Sequence, residues 1–439
     1  MTNPLLQRFQ RPRQLAIVLV VFAVVRIVAA IYFPPRYSEF ASFHYPFAAL
    51  SDFGFYPFVH YWLEYPPLFP WLSVAVYKVC GAFCSVETQE HFRSYCVLLQ
   101  SIVALFDAAN AMLVFLLVRR SANAKSGLFA CGAFVCSFAL NQADAGFFDS
   151  ITLFYILLCM ELFLRDRRLL SGIALGLGIV TKIMPISLLP AVTRFKWNRA
   201  SMSRFAFGGA VSILLLWGAF FVIRADYAAM PIRANSVRQP WETVWALMEG
   251  QHLFGFLGPV PNGEASIEID PQVWESINKI KDRGNGLNPA QYYRVAGRFS
   301  PDLSLYPKTK LSGIYSGIGL LVIGMVGFTW MKLRRLEQPK AFVRYCGCLI
   351  CIFLLYSKGW SPQFVVLPVA VLLIGFPDWR GALAAAVLLT INYLEMPVWL
   401  FDVQSEPLKN NLLHGVVVAR TALLAGAAVL LFKGATADE

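Results

Sequence analysis

The sequence predicts an all-α, polytopic integral membrane protein, and three observations carry that prediction. Of 439 residues, 57% are hydrophobic and only 15% are charged, whereas a soluble domain carries about a quarter charged residues; mean hydropathy is +0.57. Apolar runs of roughly a membrane's thickness recur from Leu15–Tyr32 to Leu412–Phe432. Lys and Arg gather in short clusters at the ends of these runs, the pattern that sets topology. The clusters account for the net charge of +12, so nucleic acid is not an expected partner. The nine cysteines fall mostly inside apolar runs (Cys131, Cys136, Cys159, Cys346, Cys348, Cys351). That is the usage of small buried hydrophobes, not a disulfide framework. Cys80 and Cys84 stand near the interface, where nothing demands that they pair, and no cysteine cluster has a histidine at metal-site spacing.

Taken in order, Leu15–Tyr32 follows Arg8, Arg11 and Arg13 and lacks a small-residue cleavage site, so it reads as an uncleaved first helix with a cytoplasmic N-terminus. Residues 33–91 form a first external loop. Within it, Leu68–Phe83 starts at a proline pair and is too short for a span, which predicts an amphipathic helix at the outer surface. Phe92–Val118 returns, Gly127–Leu140 exits and Phe147–Leu164 returns. Leu169–Val192 is about one span long, yet basic clusters bracket it at Arg165–Arg168 and Arg194–Arg199. With both clusters cytoplasmic, it must enter and come back as two shallow helices meeting near Lys182 and Pro185. A single span there would invert everything downstream, and the dense KLRR at Lys332 opposes that. Ser203–Ile223 exits into a large external loop, residues 225–310. Five further runs follow: Leu311–Met331, Phe342–Tyr356, Val365–Phe376, Leu383–Met396 and Leu412–Phe432. The expectation is one transmembrane domain, 1–439, of about twelve crossings, without internal repeats.

The stretch Pro34–Pro70 organises the rest. It holds Glu39, Asp52 and Glu64, His44 and His60, and many aromatic rings. Rings settle at the headgroup level, and carboxylates among them can do proton chemistry on an interfacial substrate; the bland alternative is a loop anchored by its rings. With the topology above, the unusual polar residues sort to the same outer side. Asn141, Gln142, Asp144, Asp149, Lys182, Arg233, Arg238, Glu242, Lys358 and all five histidines fall there. Longer external loops would explain part of that bias. They do not explain NQADAGFFDS and TKIMP, which are short and embedded in apolar sequence. A lysine placed halfway into a membrane is a functional candidate by default.

Four motifs then resemble one family. An acidic residue soon after the first helix is followed by Gly54-Phe55-Tyr56-Pro57 and Glu64-Tyr65-Pro66-Pro67-Leu68. Asn141-Gln142-Ala143-Asp144 precedes a helix, a basic turn and the glycine-rich Gly172–Pro185. Arg238-Gln239-Pro240-Trp241-Glu242-Thr243 comes next, then Lys358-Gly359-Trp360-Ser361-Pro362-Gln363-Phe364. In this order they resemble the GT-C superfamily of integral-membrane glycosyltransferases. The branch is the one that takes hexoses from polyprenyl phosphate, the family 87-like mannosyltransferases. The resemblance spans about residues 15–375. It departs in having Glu39 where Asp is usual and in lacking a tight D-x-D or D-D pair, which leaves divalent-metal use open; no other cofactor is called for.

The resemblance implies a GT-C-like bundle with interfacial helices in the first external loop. It implies inverting, single-displacement transfer from a polyprenyl-phosphate sugar to a glycan, lipid or protein acceptor. Such transfer needs a carboxylate to take the acceptor's proton and cations to neutralise the departing phosphate. Glu39 is the expected base, ionised at neutral pH like an ordinary carboxylate, with Asp52 as the competing candidate. Lys182, Arg238 and Lys358 are the expected phosphate binders; Asn141, Gln142 and Asp144 bond sugar hydroxyls or brace the first loop. His44, Glu242 and Gln363 complete the substrate-binding set. Plainer roles compete: Arg238 paired with Glu242 across one turn, Lys358 snorkelling at a helix end, Glu64 bonding backbone at the Pro-Pro turn. Membrane lipids are the surroundings, in a bacterial inner membrane or, for a eukaryotic chain, the endoplasmic reticulum. The rival class is a polytopic transporter or flippase, which would place ionisable residues inside several helices; the helices here read as clean.

Overall fold

The computed structural model describes residues 4–33, 38–141, 146–195, 198–250, 270–282, 295–303, 308–333 and 336–438. Among the described residues the chain is helical, with isolated β-bridges and no strand. The helices that matter below are α1 (Pro4–Tyr32), α2 (Leu68–Gly81), α3 (Gln89–Ser121), α4 (Ala124–Ser137), α5 (Asp149–Leu164), α6 (Arg168–Thr181) and α7 (Leu189–Arg194). They continue with α8 (Arg199–Ile213), α9 (Ala219–Val237), α10 (Pro271–Asp282), α11 (Ser312–Lys332), α12 (Pro339–Tyr356), α13 (Val366–Gly375), α14 (Trp379–Tyr393) and α15 (Glu406–Ala437). Polar side chains start several of them: Thr88, Asn123, Asn198 and Asp378 each accept a backbone N–H of the first turn.

Seven helical stretches among the described residues are long and apolar enough to cross a membrane: Gln14–Tyr32, Gln89–Ser121, Arg199–Val237, Ser312–Lys332, Pro339–Tyr356, Trp379–Asp402 and Glu406–Ala437. Ile17, Val18, Val20 and Val21 on α1 and Leu320, Leu321 and Ile323 on α11 are exposed, a surface suited to lipid and not to water. The protein is an integral membrane protein. Four further apolar helices among the described residues are shorter, and the expected count of about twelve crossings, which included short ones, is not confirmed. Two ion pairs also correct the expectation of clean helices. Arg26 of α1 donates to Asp107 of α3 at 2.9 Å, and Arg420 of α15 pairs with Glu395 beyond α14. Each charge is tolerable there because its partner neutralises it.

The segment bracketed by basic clusters does fold back. The Arg168 guanidinium at the start of α6 lies 3.7 Å from the centre of the Phe163 ring and 5.8 Å from that of Phe195, just past α7. Entry and exit therefore share one end of the bundle. Arg120 and Arg165 both bind Glu161 at that end, and Arg194 donates to the Leu333 carbonyl, so the basic clusters converge. Tight packing of α6 on α8 holds the fold-back. A Cβ on Gly172 would stand 1.9 Å from the Phe205 carbonyl oxygen, and one on Gly208 2.3 Å from that of Leu169. The glycine-rich motif is thus a close helix crossing.

At 14 residues, α4 and α6 are each about 21 Å long against a hydrocarbon core of about 30 Å. At 16 and 10 residues, α5 and α13 are also shorter than a full span. Irregular backbone is tolerated at membrane depth only where protein buries it or a cavity meets it. The first external loop builds a second core: Phe40, Tyr45, Phe47, Phe58, Tyr61, Phe69, Tyr77 and Tyr95, joined by Val273, Ile277 and Ile280 of α10. Trp62 ties the loop to the later chain by donating its N–H to the Arg298 carbonyl at 3.0 Å and its Nε1–H to that of Ser300 at 2.8 Å. The expected loop 225–310 begins as helix instead. The chain breaks at Arg224 (φ −149°, ψ 83°) and then continues helical to Val237.

Candidate active site

The site is built on helix ends. Where α6 stops, Lys182 leaves the helix in an extended conformation (φ −157°, ψ 139°). Its Nζ donates to Asp149 Oδ1 at 2.5 Å. Asp149 is the first residue of α5, where the helix dipole favours a negative charge. The same Nζ lies 3.9 Å from the centre of the Phe364 ring and 5.6 and 5.7 Å from those of Phe148 and Tyr65. Three sequence motifs far apart in the chain therefore meet around one ammonium group.

Glu39 faces this group. The Tyr65 hydroxyl donates to Glu39 Oε1 at 2.7 Å. Burial pushes the Glu39 carboxyl up to about 8; the Tyr65 hydrogen bond opposes the rise, the Glu64 charge adds to it and Lys182 opposes it. The expectation of an ordinary, ionised Glu39 is thereby corrected, because desolvation outweighs the stabilising neighbours. His44 packs behind, with its ring 4.7 Å from Phe69, 5.0 Å from Phe43, 5.7 Å from Phe148 and 5.9 Å from Tyr65. Burial pulls its pKa down to about 3, so His44 is a neutral member of the aromatic wall that supports Tyr65.

Beyond Tyr65 lies a group of cations. Arg298 donates to Glu64 Oε2 at 2.9 Å, so Glu64 has a side-chain partner in place of the backbone one expected. The Arg238 guanidinium, directly after α9, lies 4.0 Å from the centre of the Trp241 ring. Burial pulls its pKa down to about 10, opposed by Glu64 and Tyr65 and reinforced by Arg298. Lys358 Nζ donates to the Ser236 carbonyl at 2.5 Å and lies 4.6 Å from the centre of the Tyr315 ring. Burial, and then the charge of Arg238, pull it down to about 8. Backbone bonds fix the two loops together: Trp241 N–H donates to the Lys358 carbonyl and Trp360 N–H to that of Trp241, each at 3.1 Å. The approach is so close that a Cβ on Gly359 would meet the Trp241 ring at 2.0 Å.

The remaining candidates are placed differently. Asp52 accepts from the Tyr77 hydroxyl at 2.6 Å and from Lys78 at 2.7 Å. Both partners belong to α2 and neither to the group around Glu39, so Asp52 braces α2 against the loop. Glu242 is buried with φ 52°, and its carbonyl accepts from Arg420; no Arg238–Glu242 ion pair occurs among the described residues. Asn141 and Gln363 are buried, Gln363 in the 3₁₀ turn Pro362–Val365 that positions Phe364. Gln142 and Asp144 lie outside the described residues. Among the described residues no three His, Cys, Asp or Glu side chains gather as a metal site would require. All nine cysteines are free, Cys80 and Cys84 included.

Residues 95–254 match the model of glycosyltransferase family 87. The match covers a little over a third of the chain. That region contains Asn141, Asp149, Lys182, Arg238 and Glu242, while Glu39, Tyr65, Arg298 and Lys358 reach the site from outside it. No curated protein matches the sequence. Among solved structures, the apo oligosaccharyltransferase of Archaeoglobus fulgidus is similar at 13% identity and TM-score 0.44; the match covers 99% of this chain and 56% of that one. ArnT from Cupriavidus metallidurans is similar at 16% identity and TM-score 0.38, covering 97% and 78%. The Archaeoglobus fulgidus oligosaccharyltransferase AglB, in complex with an inhibitory peptide and a dolichol-phosphate, is similar at 13% identity and TM-score 0.37, covering 97% and 56%. The chain thus spans little more than half the length of the archaeal enzymes.

Proposed function

We propose that this membrane glycosyltransferase moves a hexose from a polyprenyl-phosphate donor to a hydroxyl of a glycan, lipid or protein acceptor at the extracytoplasmic face. Mannose is the hexose its motifs suggest. The observation that carries the reading is the gathering of partly buried Arg238 with buried Arg298 and Lys358, close enough that Arg298 destabilises the charge on Arg238 and Arg238 that on Lys358. A phosphate placed among them relieves that repulsion and gains charge-assisted hydrogen bonds. In the proposed step the ionised Glu39 takes the acceptor's hydroxyl proton. The hydroxyl oxygen attacks the anomeric carbon from the face opposite the phosphate. The carbon–oxygen bond to phosphate breaks, its electron pair stays on the phosphate, and the configuration inverts. Lys182 holds Asp149 and Phe364 beside the reacting centre and adds positive charge.

The test is binding of a polyprenyl phosphate to the purified full chain. Arg238→Gln and Lys358→Met each remove one charged donor, a loss of about 1.5–3 kcal/mol, so affinity should fall roughly ten- to hundredfold. Wild-type affinity in both variants would end the reading. The pairs Arg26–Asp107 and Glu395–Arg420 inside apolar helices are what a transporter would also show. Movement of a labelled polyprenyl phosphate across proteoliposomes, with no sugar transfer, would favour that alternative.

A further inference from the structure

Arg420 sits in the middle of α15, buried, on a stretch apolar enough to span the membrane. None of the motifs above includes it. An arginine in such a place is costly and calls for both a partner and a purpose. The partner is Glu395, which accepts from Nη1, and both side chains are almost wholly enclosed. Nη2 does something else: it donates to the main-chain carbonyl of Glu242. The plane of the guanidinium lies over Trp360, 4.4 Å from the ring centre. One side chain therefore reaches both loops that carry the cations. Glu242 ends the stretch that begins at Arg238, and Trp360 stands two residues after Lys358. Glu242 also adopts φ 52°, a left-handed backbone rarely taken by a residue with a side chain. Its carbonyl is consequently turned toward α15, where Arg420 receives it.

We propose that Arg420 is a positioning residue of the donor site: by holding the Glu242 carbonyl and the Trp360 ring at once, it sets the separation of Arg238 and Lys358 that a phosphate must match. This rests on the donor reading of the previous subsection. The geometry requires an arginine. Two directed N–H groups and a flat face are used together, and lysine offers a point charge without the plane.

The experiment measures farnesyl phosphate and farnesol affinity for the full chain in nanodiscs, alongside thermal unfolding. Arg420→Lys keeps the charge opposite Glu395. The double variant Glu395→Arg with Arg420→Glu keeps an ion pair but leaves no donor at position 420 for the Glu242 carbonyl. The expected result is about a tenfold loss of farnesyl phosphate affinity in both, with farnesol affinity and melting near wild type. A residue that only holds the fold together would weaken both ligands or lower the melting point without changing their ratio. An unchanged ratio, or failure of both variants to fold, overturns the proposal. Arg238→Gln and Lys358→Met are run in parallel. If they leave phosphate affinity intact, the donor reading falls and takes this proposal with it. If they weaken it and the Arg420 variants do not, the positioning role alone is wrong.

Discussion

Transfer should depend on pH through Glu39, and the structure sets both the midpoint and how it can be moved. The ionised form takes the proton, and burial raises the carboxyl to about 8. At pH 7 about a tenth of the molecules hold the carboxylate and at pH 6 about a hundredth, so single-turnover rates should climb close to tenfold per unit and level off above about pH 9. Tyr65 provides the lever. Its hydroxyl, 2.7 Å from Oε1, stabilises the charged form. Tyr65→Phe removes a hydrogen bond to a charge, worth about 1.5–3 kcal/mol, so the midpoint should move upward by about one to two units. At pH 7 the variant should be roughly ten- to hundredfold slower and should recover in alkali. Glu39→Gln should fall about 10²–10⁴-fold below the wild-type alkaline plateau, with the rise in rate with pH abolished, while still binding donor. The assay is single-turnover transfer from a defined polyprenyl-phosphate sugar between pH 5.5 and 9.5. A wild-type profile that is flat over that range, or a Tyr65→Phe profile with an unmoved midpoint, refutes Glu39 as the base.

Other outcomes follow from the packing. Lys182→Met leaves Asp149 charged and buried alone, so the single variant should destabilise the fold by about 3–5 kcal/mol. Adding Asp149→Asn should restore the melting temperature but not donor affinity, and full recovery of binding would make Lys182 purely structural. Gly172→Ala drives a methyl into the Phe205 carbonyl and should lower the melting temperature clearly, whereas Gly132→Ala, with open space around it, should leave it unchanged or raise it. Equal losses in the two would discount the close crossing of α6 and α8. Single cysteines at the exposed Arg167 and Arg199, in a cysteine-free background, should both escape an impermeant thiol reagent on intact cells and both react in inverted vesicles. Labelling of just one on intact cells would break the fold-back.

Much of this was legible because it depends on local rules. Hydropathy marked the long helices, and the basic clusters marked the turn-back at Lys182, since both act through the membrane and not through distant contacts. The motifs named Glu39, Lys182, Arg238 and Lys358, and the structure brings these four into one neighbourhood. What stayed hidden depends on meetings across the chain. Asp149 carried a signal, an acid at the mouth of an apolar run. Arg298 carried none, being one charge among many in a polar stretch, and its contacts with Glu64 and Trp62 single it out. Arg420 and Glu395 look like blemishes in separate apolar runs until the fold joins them. Asp52 was the competing candidate for the base, and its bonds to Tyr77 and Lys78, placed by the turns of α2, could not be read from the sequence.

The contact of Glu64 with Arg298 joins residues 234 positions apart, and that separation has a consequence in time. Ribosomes add about 5–20 residues per second, so Glu64 waits roughly 12–47 s for its partner to be made. The loop of Glu39 and Tyr65 emerges well before Lys358. During synthesis, the carboxylates stand at the membrane surface before the cations that complete the pocket exist. On the proposed reading, a nascent chain can thus be threaded and anchored in lipid before it can grip a phosphate. Donor can then be bound only once Lys358 has been made.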